Sequence, residues 1–306
     1  SNMQPAAASD RALRRIDALK RWLIVDEGVS QEQQQADGSL ELVKTSTRLT
    51  NGAAVEQAGK ARGSKEVALI VGAGDGLGAA VARRFAQEGY VACLARRNGD
   101  KLSGLVESIK AEGGEAHAFS CDARKEEAVQ GLVTQIEQEV GPIAACVFNV
   151  GANVRFPILD TTERVYRKVW EMAALAAFLV GREVARVMVP RGKGTILFTG
   201  ATASTRGRSG FSAFAGAKAA KRQLAQSMAR ELGPKGIHVA HIVVDGPIDG
   251  PFIRNMFPDL VKEHEGERYP RLLQPDDIAH TFYAVHCQPK SAWSFELDVR
   301  PWTEPW

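Results

Sequence analysis

Short apolar runs alternate with longer segments of helical periodicity along most of this chain, from Glu66 onward. Seven runs are rich in β-branched residues: Val67–Val71, Val91–Leu94, Ala116–Cys121, Ala144–Asn149, Thr195–Thr199, Val239–Val244 and Phe295–Val299. Segments of helical spacing begin near Gly78, Gly99, Glu126, Thr162, Ala213 and Pro275. Strands that are apolar throughout are typical of a parallel sheet covered on both faces. The pattern therefore predicts one doubly wound (Rossmann-type) α/β domain with a seven-stranded parallel sheet over residues 66–306.

Residues 1–65 have a different pattern. Apolar residues at helical spacing predict an amphipathic helix over Arg11–Asp26, and Leu40 and Leu42 suit a short strand. The segment Thr50–Lys65, rich in Gly, Ala and polar residues, is typical of a linker. We interpret residues 1–65 as an extension that docks on its own domain or on a neighbouring subunit, with recruitment of a partner as the alternative.

Composition and charge exclude several classes of protein. The 306 residues are 44% hydrophobic, enough for a sizeable core, and carry 39 Lys+Arg against 36 Asp+Glu. The net charge of +3 gives no argument for a nucleic-acid partner. No apolar run approaches the roughly 20 residues that cross a bilayer, and the chain starts without an apolar leader. We therefore expect a cytoplasmic protein that acts on a small molecule, not on nucleic acid or a membrane.

The cysteines and histidines give no sign of a disulfide framework or a metal centre. Cys93, Cys121, Cys146 and Cys287 are far apart, without a CxxC pair, and we expect buried, reduced thiols. The six histidines have no spacing that would place two imidazoles on one helical face. The sequence therefore predicts no metal site.

A glycine-rich loop follows the first strand and opens a helical segment. Glycines at this place let a phosphate approach the backbone N–H groups of a helix N-terminus, and a second strand follows at the βαβ distance. The loop therefore predicts a dinucleotide site formed by Gly72, Gly74, Asp75, Gly76, Leu77 and Gly78.

The end of the second strand bears on the choice of dinucleotide. Arg96 and Arg97 stand where an enzyme that prefers NAD has an acidic residue for the ribose 2′-hydroxyl. Guanidinium groups suit a 2′-phosphate instead, so the sequence favours NADP(H). The alternative is that both arginines are solvated surface charges.

The region from Glu66 to about Val299 resembles the short-chain dehydrogenase/reductase family. The glycine loop is similar to its TGxxxGxG segment with Val71 in the Thr position, Cys121-Asp122 to its adenine-contacting Asp, Asn149-Val150-Gly151 to its NAG motif, and Pro275-Asp276-Asp277-Ile278-Ala279 to its PEDIA segment. The resemblance implies hydride transfer between a nicotinamide and a carbonyl or alcohol carbon. It implies cofactor contacts from Asp122, Asn149, Gly151, Lys218 and Gly246, and a homodimer or homotetramer paired through the helices Thr162–Val189 and Ala213–Leu232.

The same resemblance indicates that most of the family's catalytic set is missing. The family's YxxxK motif, whose Tyr is the acid/base and whose Lys lowers the pKa of that Tyr, reads Phe214 to Lys218 here. The position of the family's Ser falls on Ala201, and that of its relay Asn on Ala173. The Tyr position of the enoyl-reductase variant is Phe211, so both versions of the tyrosine acid are absent.

Other polar residues are candidates for the missing roles. Asp245 is the first candidate for the acid, and a shift of one or two residues would bring Thr202 or Thr199 into the role of the Ser. Further candidates near the expected cleft are Asn153, Arg155, Arg206, Arg208 and Asp249, and Tyr269 in residues 250–274, a stretch that resembles a substrate lid. The alternative for each of the loop residues is a solvated or capping role.

Three functions are consistent with this pattern. The first is an atypical NADP(H)-dependent oxidoreductase that uses Lys218 with a substituted acid or water. The second is a cofactor-binding pseudoenzyme or scaffolding subunit, and the third is a non-redox isomerase or lyase in the same cleft. Loss of a general acid typically costs about 10²–10⁴ in rate, so the sequence excludes conventional Ser–Tyr–Lys chemistry.

Overall fold

The computed structural model describes residues 65–256 and 272–303. Seven parallel strands form one sheet in the order β3-β2-β1-β4-β5-β6-β7. The strands are β1 Val67–Val71, β2 Val91–Arg96, β3 Glu115–Ser120, β4 Ile143–Phe148, β5 Gly194–Thr199, β6 Ile237–Val244 and β7 Glu296–Val299. Each falls on a predicted apolar run, with bounds that differ by at most two residues. The predicted doubly wound sheet is therefore confirmed, and residues 1–64 with their predicted helix, strand and linker lie outside the described residues.

Helices connect the strands and cover the sheet. They are α1 Leu77–Gln87, α2 Ser103–Ala111, α3 Glu126–Glu139, α4 Glu163–Trp170, α5 Ala176–Met188, α6 Ser212–Leu232, α7 Pro251–Met256 and α8 Pro275–His286. Alternate residues of each strand enter two separate cores: Val67, Leu69 and Val71 of β1 pack on one face, and Ala68 and Ile70 on the other. Because both faces of the central strands are buried, these strands are mainly apolar, whereas the edge strands β3 and β7 also carry polar residues such as Glu115 and Glu296.

The helix predicted from Thr162 to Val189 is not continuous. Thr162 caps the start of α4, its Oγ1 accepting from Val165 N at 3.3 Å. A π turn over Glu171–Leu175 then separates α4 from α5 and contains the fully buried Ala173. No Pro or Gly marks this turn in the sequence, so periodicity alone predicts one long helix.

The cysteines are free thiols, as expected, with one exception to their predicted burial. Burial raises the pKa of Cys93 and Cys146 to about 12 and that of Cys121 to about 11. Cys287 is exposed instead, because it follows the last residue of α8 rather than lying in a strand. Within residues 65–256 and 272–303, no group of three or more metal-ligating side chains occurs, and no helix is long and apolar enough to span a membrane.

Candidate active site

A cleft of about 1130 Å³ lies at the carboxyl edge of the sheet, where ligands bind doubly wound folds. The glycine loop after β1, the turn after β4, the loop after β5, the start of α6 and the segment after β6 form its walls. The lining residues predicted from the sequence include Gly72, Gly74, Asp75, Gly76, Leu77, Gly78, Asn149, Gly151, Ala201, Thr202, Phe214, Lys218 and Gly246. Distant parts of the chain therefore meet at one site.

The glycine loop leaves room that side chains would fill. A Cβ on Gly78 would lie 2.7 Å from the Gly72 carbonyl oxygen, so only glycine lets α1 begin against the loop. Gly72 has φ +90°, and a Cβ on it would lie only 2.9 Å from backbone atoms of Asn149 and Val150. A Cβ on Gly74, by contrast, would meet no protein atom within 4 Å. The open space beside the N-terminus of α1 fits the pyrophosphate of a dinucleotide.

The carboxyl ends of β2 and β3 carry the predicted adenosine-binding residues, outside the lining of the cleft. Asp122 accepts from Arg124 Nε at 2.9 Å and Nη2 at 2.7 Å. Burial alone would raise the pKa of Asp122, but the bonds from Arg124 and the charge of Arg97 hold it below its usual range. Arg96 ends β2, and Arg97 follows it as an exposed residue. Arg97 and Arg124 therefore lie beside Asp122 at this edge of the sheet.

Phe214 and Lys218 occupy one wall of the cleft, one turn apart on α6. The Lys218 ammonium donates to the carbonyl oxygens of Thr199 at 3.1 Å and Gly200 at 3.3 Å. Its Nζ lies 5.5 Å from the centroid of the Phe214 ring. Burial lowers the pKa of Lys218 to about 8, against a hydrogen bond with Lys221 that raises it. The Phe214 ring, which carries no hydroxyl, therefore stands beside the Lys218 ammonium at the cleft wall.

The loop after β5 brings two predicted candidates together. Thr202 lines the cleft, and its hydroxyl donates to Asp245 Oδ1 in a short hydrogen bond. The buried Asp245 carboxylate also lies 3.5 Å from Arg206 and 3.3 Å from Arg300. Asp245 is not among the residues that line the cleft, so it reaches the cleft through Thr202 and Arg206. Ala201 lines the cleft with a methyl group.

Other polar candidates take different places around the cleft. Asn153, Arg206, Arg208 and Asp249 line it, and Asp249 accepts from Arg254 in two bonds of 2.7 Å. The Arg155 guanidinium lies 6.0 Å from the centroid of the Phe211 ring.

No tyrosine lines the cleft in the part of the chain that the structure describes. The Tyr166 hydroxyl approaches α6 at Gly216, 2.9 Å from where a Cβ would stand. Gly216 is two residues from both Phe214 and Lys218, which places it on a different face of the helix. Tyr269 lies outside the described residues, as does most of the stretch 250–274.

Lys221 is a site residue that the sequence reasoning missed. It is fully buried on α6, its Nζ donates to the Val150 carbonyl oxygen at 3.3 Å, and it is hydrogen-bonded to Lys218. Burial, followed by the charge of Lys218, lowers its pKa well below the ordinary value. The signal was present in the sequence, because a lysine three residues after Lys218 must share its side of the helix.

A chain of three polar residues lies behind the lysines, with His241 buried and Arg222 and Glu296 half-buried. The His241 Nδ1 atom and Glu296 Oε2 are 2.9 Å apart, and Arg222 donates to both oxygens of Glu296 at 2.6 and 2.7 Å. Burial lowers the pKa of His241 to about 4, and the hydrogen bond with Glu296 opposes this shift. A Cβ on Gly200 would lie 2.5 Å from the His241 ring, so this glycine lets the histidine pack beneath the cleft floor.

Comparisons with known proteins agree with this geometry. The family described as short chain dehydrogenase matches residues 66–259. Gluconate 5-dehydrogenase of Gluconobacter oxydans is 30% identical over 198 residues, which are 65% of this chain and 75% of that protein. The crystal structure of a short-chain dehydrogenase from Rhodopseudomonas palustris matches 78% of this chain and 99% of its own chain, with a TM-score of 0.66 and 47% sequence identity. A metagenomic short-chain oxidoreductase crystallised with NADP is 25% identical, with a TM-score of 0.66 over 78% and 98% of the two chains.

Proposed function

Because the chain belongs to the short-chain dehydrogenase family, we propose that it is an oxidoreductase that uses NADP(H) without the usual Ser–Tyr pair of that family. The observation that carries the proposal is the state of the cleft wall. The glycine loop and Lys218 are present there, while Phe214 and Ala201 place hydrocarbon where the resemblance predicts the Tyr and Ser hydroxyls. The chain has therefore kept the means of binding a dinucleotide and changed the means of moving a proton.

The preference for NADP(H) rests on charge at the ends of β2 and β3. Arg97 lies near enough to Asp122 to lower the pKa of that carboxyl. A 2′-phosphate would find the Arg96 and Arg97 guanidinium groups at this edge, and charge-assisted bonds to guanidinium are among the stronger polar contacts in proteins. The metagenomic relative crystallised with NADP is consistent with this choice.

A bound nicotinamide would supply or accept the hydride. The chain's own residues would hold the pyrophosphate at the glycine loop and the nicotinamide ribose at Lys218, and would orient the substrate. Thr202, held by Asp245, presents a polar atom to the cleft, and Arg206 and Arg208 line the same wall. These guanidinium groups suit a substrate with an anionic group. We expect the reacting bond to be an activated C=C, an imine or a quinone-like acceptor, for which proton delivery is less demanding than for a simple ketone.

A panel of acceptors tests this function. NADPH consumption is measured with activated alkenes, imines, quinones and simple ketones, for the natural chain and for Lys218→Met. We expect turnover with at least one activated class, little with ketones, and loss of the activity in the variant. Brisk turnover of simple ketones would refute the argument from the missing hydroxyls.

A cofactor-binding pseudoenzyme is the second candidate, and the same substitutions at Phe214 and Ala201 favour it. It predicts tight NADPH binding with no turnover across the whole panel. A binding titration run beside the panel therefore separates an inactive binder from a chain that does not bind the dinucleotide.

We also propose a homo-oligomer. The apolar side chains of Tyr166, Trp170 and Phe178 are 46%, 42% and 40% exposed on α4 and α5, a concentration that favours burial against a second copy. Sedimentation of the natural chain and of Trp170→Glu tests this proposal. We expect the variant to sediment as a smaller species.

A further inference from the structure

Two lysine amines lie together at the wall of the cleft. Lys218 is 6% exposed and lines the cleft, whereas Lys221, three residues later on α6, is 0% exposed. Three residues apart, the two amines lie on the same side of α6, and a hydrogen bond between them contributes to the pKa of each. Their other acceptors are uncharged backbone carbonyl oxygens, those of Thr199 and Gly200 for Lys218 and that of Val150 for Lys221.

The surroundings provide no charge to balance two ammonium groups. Among the described residues, no carboxylate forms an ion pair with either amine. Glu296, the acid of the adjoining polar chain, is engaged by both Arg222 and His241. Two like charges at hydrogen-bond distance in a buried place repel strongly, and burial itself disfavours each charge. The pair can therefore hold one excess proton but not two.

We propose that Lys218 and Lys221 share a single excess proton and that this pair, through Lys218, supplies the proton that the family takes from a tyrosine. The proposal rests on the proposed oxidoreductase function. Lys218 is the catalytic acid, because its amine lines the cleft. Lys221 is a positioning residue, which accepts a hydrogen bond from Lys218 and adds no second charge.

The step balances for reduction of an imine or of a quinone-like carbonyl, two of the acceptor classes proposed above. The substrate carbon accepts a hydride, with its two electrons, from the reduced dinucleotide, and the π pair of the double bond moves to oxygen or nitrogen. The N–H group that donates to the Gly200 carbonyl oxygen at 3.3 Å, the longer of the two backbone bonds of Lys218, turns to the substrate. This N–H bond breaks, and an O–H or N–H bond forms on the substrate. Lys218 becomes a neutral amine, and solvent in the cleft returns the proton after the product leaves. The substrate is reduced, the dinucleotide is oxidised, and the lysine pair ends unchanged.

The groups facing Lys218 set the direction of its response to pH. Burial lowers the pKa of Lys218 to about 8, and its bond to the Lys221 amine opposes that shift. His241 faces the same amines with its pKa lowered to about 4 by burial, so its ring is neutral at pH 7. Removing the Lys221 amine therefore takes away an acceptor that favours the Lys218 ammonium. The pKa of Lys218 should then fall, whereas it would rise if Lys221 were a charged neighbour.

The test follows the two amines directly. The full-length protein, labelled with ¹³Cε-lysine, is titrated by NMR, and the two signals are assigned with Lys218→Met and Lys221→Met. We expect one lysine to titrate near pH 8 and the other to titrate at lower pH, because burial holds the pKa of Lys221 well below its ordinary value. In Lys221→Met, the midpoint of Lys218 should fall by about one unit, a tenfold change in its protonation equilibrium. Lys235→Met is the matched control. Lys235 follows the end of α6, its amine is exposed, and it lies 3.7 Å from the Glu231 carboxylate rather than beside a second amine.

The reaction provides a second readout. The alkaline limb of the pH profile for hydride transfer should move to lower pH by the same amount in Lys221→Met and stay in place in Lys235→Met. Two charged lysines at pH 7, or an unmoved Lys218 midpoint in Lys221→Met, would overturn the shared proton. An unmoved pH limb beside a shifted midpoint would overturn the pair as the acid. Failure of every substrate to accept hydride would refute the proposed function, while the NMR titration still decides whether the two amines share one proton.

Discussion

Restoring both missing hydroxyls, with Phe214→Tyr and Ala201→Ser in one chain, should create turnover of simple ketones. Phe214 already lies in the cleft wall, and the Lys218 amine lies 5.5 Å from its ring centroid. A para-hydroxyl there would be close to a positive charge that favours the phenolate. Ala201 lines the same cleft, and its backbone N–H donates to Ser204 Oγ at 3.1 Å, which holds the loop in place.

The size of the gain follows from the two roles. A general acid is worth about 10²–10⁴ in rate, and one donor to a developing oxyanion about 10²–10³. The two act as a unit, so their effects do not multiply. We expect a gain of about 10²–10⁴ for the double variant, which is about 3–5 kcal/mol of activation free energy. Because both side chains line an open cleft, the new hydroxyls stay hydrated, and the free energy of unfolding should change little.

The assay is NADPH oxidation with a panel of simple ketones. Phe211→Tyr is the matched control, since Phe211 also lines the cleft but stands seven residues before Lys218. This control adds the same hydroxyl at the enoyl-reductase position and should leave ketone turnover at the natural level. A double variant that binds NADPH normally and gains nothing on ketones would refute the reasoning from the missing hydroxyls.

Three further predictions concern the glycine loop, the choice of cofactor and the pair Lys218 and Lys221. Gly74→Ala should weaken NADPH binding at least tenfold in a fluorescence titration, because the added Cβ would enter the space that fits the pyrophosphate. The melting temperature should not change, because this Cβ would meet no protein atom within 4 Å. Gly131→Ala in α3, where a Cβ also meets no protein atom, should leave binding unchanged. Arg97→Ala should narrow the difference in affinity between NADPH and NADH, and equal affinities in the natural chain would contradict the role of the arginines. Burial holds the pKa of the native Lys221 well below its ordinary value of 10.5. Between these two pKa values the native chain binds fewer protons than the unfolded chain, so the free energy of unfolding should rise with pH there. Lys221→Met should flatten that rise in denaturant titrations, and an unchanged slope would contradict a neutral Lys221.

The sheet could be predicted because its signal is local. The central strands are mainly apolar, the edge strands β3 and β7 carry polar residues as well, and each strand begins and ends within two residues of its predicted bounds. The glycine loop was equally readable, since strand, loop and helix follow one another directly. The π turn at Glu171–Leu175 escaped prediction, because no residue type marks a widened turn within an alanine-rich helix.

The chemistry of the site was only partly readable because it depends on contacts between distant segments. Thr202 and Asp245 were candidates for two separate roles, and the fold joins them in one hydrogen bond. The proximity of Arg300 to Asp245 requires the end of β7 to lie beside β6, which the strand order decides. Lys221 stands at helical spacing from Lys218 in the sequence. Its burial next to β4 and the turn after it, where its amine bonds to a backbone carbonyl oxygen and no carboxylate pairs with it among the described residues, depends on the fold.

Transfer of deuterium from NADPH labelled at the reacting nicotinamide carbon tests the central claim most directly. Product from an activated acceptor is analysed by mass spectrometry in a single turnover, with the natural chain and with Lys218→Met. The account predicts one deuterium per product molecule from the natural chain and a strongly reduced rate in the variant. Product formed without label would contradict hydride transfer and favour a non-redox isomerase or lyase, and tight NADPH binding without product would favour a pseudoenzyme.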